Sequence, residues 1–355
     1  VASRCAGISS WELADAVPFA SWFTDGLVGE ARTSSSYAPI ITARILGLIE
    51  HWLPSFKEPR ARSAAYELVV DVLTGSEDMV CKLAASAALW HLINDWDFEA
   101  EGFAGYAALA LEGLLKVVAE SGEAENKLLC IRTISLILDR MGGKVRGLAS
   151  SLASTLPELW NVCDEYVNLK PAIVNTTIKV VAALGVEAAF IDDFVLPLIE
   201  YCTEPAPHGV YLMDEGLTLW EETLKVAREP MSAALLGLLP RALALSHSGL
   251  GELVSCCKIL ESYAVLGGPA FLEARGSEVA DALMRLMGYG RGDDGMATVL
   301  PSVITLLQVW PSGGPALFGE VVTKAVGDLL NGKVPSVLCA KYLVLIARVC
   351  LVAPS

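Results

Sequence analysis

Phe190-Ile191-Asp192-Asp193-Phe194-Val195-Leu196-Pro197-Leu198-Ile199-Glu200, a break at Glu204-Pro205-Ala206-Pro207, and His208-Gly209-Val210-Tyr211-Leu212-Met213-Asp214-Glu215-Gly216-Leu217-Thr218-Leu219-Trp220 running on to Val226 read as one helical hairpin. In the first half Ile191, Phe194, Val195, Leu198 and Ile199 fall at the spacing that lines one face of a 3.6-residue period, with Asp192, Asp193 and Glu200 on the other. Pro205 and Pro207 remove backbone donors and push the residues before them out of helical geometry, so the chain turns. From His208 the stripe Val210, Met213, Leu217, Trp220 and Leu224 advances in steps of three and four, leaving Asp214, Glu215, Thr218, Glu221, Glu222 and Lys225 elsewhere. A hairpin of this size cannot bury both stripes alone.

Pro197, inside the first helix, extends the reading to the whole chain. Leu156-Pro157-Glu158-Leu159-Trp160 lies 40 residues upstream and Leu239-Pro240-Arg241-Ala242-Leu243 lies 43 downstream, each proline at the same phase of an apolar stripe. A period of roughly 40 to 47 residues is that of HEAT-type helical repeats. The expected fold is all-α, a HEAT-repeat solenoid in which antiparallel helix pairs wind into a right-handed superhelix. One continuous array over residues 1–355, of roughly eight hairpins, is expected rather than separate globular domains.

Composition agrees with stacked helices. Hydrophobic residues make up 54% of the 355-residue chain and aromatics only 7%. The mean hydropathy of +0.50 raises the question of a membrane, but Pro301, Pro311, Ser312, Gly313 and Gly314 interrupt the longest uncharged run, Gly295 to Gly319. That run reads as two buried helices and a turn, without membrane insertion. No secretory leader stands at the start, and Val1 in place of Met suggests a piece of a longer chain. Nine cysteines, at 5, 81, 130, 163, 202, 256, 257, 339 and 350, form no C-x-x-C pair, so they read as reduced core residues of an intracellular protein. The net charge of −15 disfavours nucleic acid and favours a basic protein partner.

Along the chain, Trp11 to about Gly29 and Ala38 to Trp52 form a capping pair, then Lys57 to Leu73 with Glu77 to Asp95. In the latter the spacing predicts an i,i+4 pair between Asp78 and Lys82, with Ala84, Ala85 and Ala88 allowing close approach of neighbours. Phe98 to Ser121 with Ala124 to Met141 is closed by Gly142-Gly143, a C-cap signal. The remaining pairs are Val145 to Glu165 with Lys170 to Leu184, the central hairpin, Ser232 to Leu245 with Leu250 to Leu266, Ala270 to Met287 with Met296 to Trp310, and Ala316 to Leu330 with Ser336 to Val352. Turns are expected near Gly75, Gly142, Pro205, Gly249, Arg291 and Lys333.

Little in the chain points to chemistry. His51, His91, His208 and His247 lie far apart in different repeats, so no catalytic or metal cluster is expected. The glycines at 288, 290, 292 and 295 follow no strand and read as an inter-repeat loop rather than a phosphate loop. Arg291-Gly292-Asp293 and Asn175-Thr176-Thr177 are short matches without supporting context. Asp192-Asp193 and Glu221-Glu222 are adjacent on helices, diverge in direction and do not face each other as an acid and base would. No enzyme, cofactor or metal is expected.

The segment from His208 to Trp220 resembles the importin-β family of nuclear transport receptors, and Asp95-Trp96-Asp97-Phe98-Glu99 with Phe103, Leu156-Pro157-Glu158-Leu159-Trp160, Phe194-Val195-Leu196-Pro197-Leu198-Ile199, and Cys257-Lys258-Ile259-Leu260 with Tyr263 are similar in the same order. The resemblance covers roughly residues 40 to 350. It implies a receptor that carries protein cargo through the nuclear pore, shuttles between cytoplasm and nucleus, binds Ran in its GTP form and contacts phenylalanine-glycine nucleoporins. It covers the central to C-terminal part of such a receptor, whereas the family's principal Ran-binding repeats lie near its N-terminus. The alternative is a HEAT-repeat scaffold or adaptor in a multiprotein complex, which shares the repeats without transport. For either function, Asp214, Glu215, Glu221 and Glu222 form a candidate acidic face for a basic cargo, because second helices of HEAT arrays usually line the concave surface.

Overall fold

The computed structural model describes residues 7, 9–14, 16–33, 35–162, 166–206, 209–247, 252–289, 293–332 and 334–352. Every regular element among them is helical. The helices gather into two compact units, Val1–Leu184 and Gly185–Ser355.

In the first unit α1 (Ala38–His51), α2 (Pro59–Gly75), α3 (Met79–Asn94), α4 (Ala107–Glu120), α5 (Ala124–Met141), α6 (Arg146–Val162) and α7 (Lys170–Leu184) follow one another along the chain. The second members stack in a row, α1 on α3, α3 on α5 and α5 on α7, while α2 packs on α4 in the other row. Stacking in rows is what buries the apolar stripes that a lone hairpin leaves bare. Gly75 ends α2, and Gly142, with φ of 56°, caps α5 in the left-handed region that glycine enters without a Cβ penalty.

The N-terminal helix expected from Trp11 to Gly29 is broken. Pro18, which cannot donate an amide, separates Ser10–Leu13 from Phe19–Trp22, and a π-helical turn, Phe23–Leu27, precedes Val28–Ala31. An aromatic cluster secures this irregular start. Phe19 stacks on Trp52 at 4.5 Å and 6°, and Phe23 meets Phe56 edge-on at 5.0 Å. The helix expected from Phe98 to Ser121 likewise splits into a short turn, Ala100–Phe103, and α4.

Asp78 does not pair with Lys82. Its backbone is extended and its carboxylate accepts the Cys81 amide at 3.0 Å, so it caps α3. The Lys82 side chain, only 2% exposed, reaches across to Glu120 at 2.5 Å instead. One period later Lys127, at the same position of α5, is also buried and donates to the Val118 carbonyl near the end of α4. The signal for both is Ser-x-Asp/Glu-x-x-x-Lys, present as Ser76, Asp78, Lys82 and as Ser121, Glu123, Lys127. In each the serine hydroxyl accepts the acidic residue's amide.

The second unit contains α8 (Asp192–Cys202), α9 (Gly209–Val226), α10 (Leu239–Leu245), α11 (Leu253–Tyr289), α12 (Asp293–Val309), α13 (Gly319–Leu330) and α14 (Ser336–Val352). Here α9 packs on α8 and α11, and α12 packs on α11 and α14. Gly268, at φ of 61°, and Pro269 break α11 into two arms, at the stop between successive helix pairs expected between Leu266 and Ala270. Pro157 and Pro197 lie inside α6 and α8 as their shared phase requires. Pro240 departs from that phase: the helix expected from Ser232 to Leu245 divides into Ala233–Gly237 and α10, and the proline occupies the first turn, where its missing amide costs nothing. The turns expected at Gly249, Arg291 and Lys333, the residues Pro207 and His208, Cys5 and Cys163, and Gly290 and Gly292 lie outside the described residues.

Side-chain hydrogen bonds repeat the period in three dimensions. Arg140 donates to the Asp95 carbonyl 45 residues back, Ser135 meets Thr176 41 residues on, and Trp220 donates to Tyr263 at a separation of 43. Glu261 accepts from Ser302 and Thr305, 41 and 44 residues later. Each such bond ties one hairpin to the next at the same level.

Candidate functional site

The central hairpin is built by two close approaches. A Cβ on Gly216 would stand 2.5 Å from the Cys202 Cβ, so only glycine lets α9 lie this near α8. A Cβ on Gly209 would meet the Glu204 carbonyl oxygen at 2.0 Å, which fixes the tight start of α9.

Residues of α9 rotate by about 100° per step, and the buried set is Gly209, Leu212, Gly216, Leu217, Leu219, Trp220, Thr223 and Leu224. Val210, expected in the buried stripe, is 78% exposed, as is Tyr211. It lies past the edge of the buried arc, in the first turn. Trp220 is fully buried and anchors the helix. Its indole donates to the Tyr263 hydroxyl at 3.2 Å, and that hydroxyl donates to the Leu235 carbonyl at 2.7 Å. Burial pushes the Tyr263 pKa up, keeping the hydroxyl a neutral donor.

The opposite side of α9 carries the acidic residues. Asp214 is exposed and Glu215 half-buried. Glu221 pairs with Lys258 at 3.2 Å and Glu222 with Lys225 at 2.8 Å. The hydrogen bond from Lys225 to Glu222 raises the lysine pKa, so the ammonium stays charged. The structure therefore brings the four acidic residues to one side of one helix and supplies two of them with lysines of the chain itself. Lys258 escaped the sequence reading; its signal is its position 37 residues after Glu221, close to one period. A cavity of 400 Å³ opens beside this pair, between α9 and α11.

In the first unit a second cavity, 560 Å³, lies against the loop of Trp96, Asp97, Phe98 and Glu99, with Pro59 and Tyr66 also on its walls. Trp96 is 97% exposed on its rim. Arg62, buried beneath, is held by Asp95 and by the Phe56 and Asp97 carbonyls. Arg140 sits over the Phe98 ring at 5.2 Å.

The histidines are less scattered than their sequence positions suggest. One period brings His91 against Glu50 at 3.5 Å and into the field of His51. Among the described residues no group of three His, Cys, Asp or Glu is placed to hold a metal, and no helix is long and apolar enough to cross a membrane. Among the described residues no base pairs with the carboxylates of Asp192 and Asp193; burial raises the pKa of Asp192, with Asp193 adding to it.

Side chains 37 to 45 residues apart meet between successive helix pairs, and solved karyopherins share this fold. The solved structure of importin beta superposes with a TM-score of 0.67 over 94% of this chain and 42% of that one, at 11% identity. Kap121p bound to the SUMO protease Ulp1p gives 0.59 over 96% of this chain and 36% of that one, at 16% identity, and Kap121p bound to Nup53p gives 0.56 over the same shares, at 14%. The family model described as Importin-11-like, TPR repeats, matches residues 171–355, and the chain belongs to that family. Importin-11 of Mus musculus and of Homo sapiens are each 26% identical over 347 residues, 97% of this chain. The chain spans 35% of the length of those relatives. TPR units repeat at about 34 residues, so the longer spacing here is HEAT-like.

Proposed function

We propose that the chain is part of a non-catalytic nuclear transport receptor and that the acidic side of α9, with Asp214, Glu215, Glu221 and Glu222, takes a basic segment of a protein cargo. The observation that carries this reading is the collection of four carboxylates on one helix of a chain with net charge −15, in a family of importins. Their fields add, steer lysine- and arginine-rich segments and weaken with salt. Kap121p, which shares this fold, has been solved bound to the SUMO protease Ulp1p and bound to Nup53p, which supports protein partners here, a cargo and a nucleoporin on this reading. For the nucleoporin, the cavity rimmed by Trp96 and Phe98 offers an aromatic lining to a phenylalanine side chain. Ran and shuttling between cytoplasm and nucleus belong to the longer receptor under this reading.

The test compares binding of a basic cargo peptide to wild type and to Glu221→Lys/Glu222→Lys at low and high salt. Weaker binding by the folded double variant, with the gap closing as salt rises, supports the reading. Equal affinities at low salt, with both proteins folded, would show that this surface is not the cargo site.

A further inference from the structure

The open 400 Å³ cavity between α9 and α11 is large enough to admit a long cationic side chain. Leu224 and Val265 provide aliphatic wall for a stem, Glu221 and Glu261 provide carboxylates, and Lys258 and Lys225, the latter held by Glu222, also line it. The two carboxylates differ in state. Glu261 is oriented by the hydroxyls of Ser302 at 2.8 Å and Thr305 at 2.6 Å, and no ion pair neutralises it among the described residues. Glu221, whose side chain is 12% exposed, is neutralised by Lys258, whose own side chain is 58% exposed. Lys258 thus reaches in from solvent and places its ammonium where an incoming lysine would.

From this geometry we infer that Lys258 is a built-in counter-cation which occupies the slot and competes with the lysine or arginine side chains of a basic partner. The inference rests on the proposed cargo reading of α9 and adds a regulation to it. An incoming cation finds Glu261 already aimed by neutral donors, and full use of the slot requires it to displace Lys258 from Glu221. Displacement is feasible because the lysine head is solvated and its pair with Glu221 is a single hydrogen bond. Loss of the Lys258 charge by substitution, or by acetylation of that exposed amine, frees the second carboxylate.

The experiment measures affinity of the folded chain for fluorescein-labelled octalysine at low salt. Lys258→Met keeps the aliphatic stem and removes the charge, and it should tighten binding about five-fold. Lys324→Met, at an exposed lysine of the same unit that pairs with Asp328, changes net charge equally and should alter affinity by less than about two-fold. Adding Glu261→Gln to Lys258→Met should cancel the gain. If Lys258→Met binds no better than Lys324→Met while Asp214→Lys/Glu215→Lys weakens binding, the acidic face stands and the competition is overturned. If none of these variants changes octalysine affinity, the cargo reading of α9 fails and the inference fails with it.

Discussion

The indole of Trp220 on α9 and the phenol of Tyr263 on α11 meet edge to face at 6.3 Å and 88°, joined by a hydrogen bond from Nε1 to Oη. Both rings are fully buried, and the Tyr263 hydroxyl passes the connection on to the Leu235 carbonyl. Trp220→Ala should cost about 3–5 kcal/mol through the cavity it leaves. Trp220→Phe keeps most of the ring, strips the donor and should cost less. Urea titrations followed by far-UV circular dichroism distinguish the two; a wild-type midpoint for Trp220→Ala would show that the helix repacks around the gap.

Gly216 gives a prediction of the opposite kind, by overfilling. A methyl group there would collide with the Cys202 Cβ, so Gly216→Ala should destabilise the second unit by about 1–3 kcal/mol despite the better helix propensity of alanine. Gly237→Ala, where nothing lies within 4 Å of an added Cβ, is the matched control and should be tolerated.

Lys82 and Glu120 should respond unequally to substitution. The hydrogen bond from Lys82 holds the Glu120 pKa down, so the pair stabilises above the ordinary carboxylate range and is lost as pH falls through the depressed value. Glu120→Gln leaves a buried ammonium without its counter-charge and should lower the melting temperature more than Lys82→Met, which replaces the ammonium by an apolar group of similar length. Equal shifts would mean that solvent reaches the ammonium.

His91 should contribute to the pH dependence of the first unit near neutrality. Burial, the largest effect, lowers its pKa below 6.5; Glu50 opposes this and His51 adds to it. The unfolded chain therefore binds the proton more readily, so this contribution to stability is complete above about 6.5 and is lost as pH falls through the folded value. Thermal melts across that window should fall less steeply for His91→Gln than for wild type.

On α9, the residues without internal partners should matter most per charge. Glu221 and Glu222 are each paired with a lysine, whereas Asp214 is exposed and it and Glu215 lack an ion pair among the described residues. Asp214→Lys/Glu215→Lys should therefore weaken binding of a basic peptide more at low salt than Glu221→Lys/Glu222→Lys, a comparison that fluorescence anisotropy reads directly.

What the sequence made legible was set by periodicity and by glycine and proline. Lys170–Leu184, Ala124–Met141 and Ser336–Val352 were expected to the residue because apolar stripes run unbroken between clear stops. Pro240 shares the stripe of Pro157 and Pro197 yet begins its helix, because a proline can begin a helix as well as kink one and the stripe is the same in both cases. Asp78 was assigned to the wrong partner because an i,i+4 spacing and an N-cap are indistinguishable until the backbone at Asp78 is known to be extended. The acidic side of α9 could be read from the helical wheel, but its neutralisation by Lys258 could not. That lysine lies on another helix, and sequence pattern alone does not say which charges face each other across a repeat.

The hydrogen bonds that span one repeat differ chemically from step to step: an arginine on a carbonyl, a serine on a threonine, an indole on a phenol, two hydroxyls on a carboxylate. Each interface thus has its own lock and key, and the hairpins are not interchangeable bricks. Excising one hairpin and rejoining its neighbours would set Trp220 or Glu261 against a side chain that cannot answer it. Within each unit the hairpins joined by these bonds are in this sense addressed: each recognises its own successor, so the order of the surfaces displayed there is written into the interior.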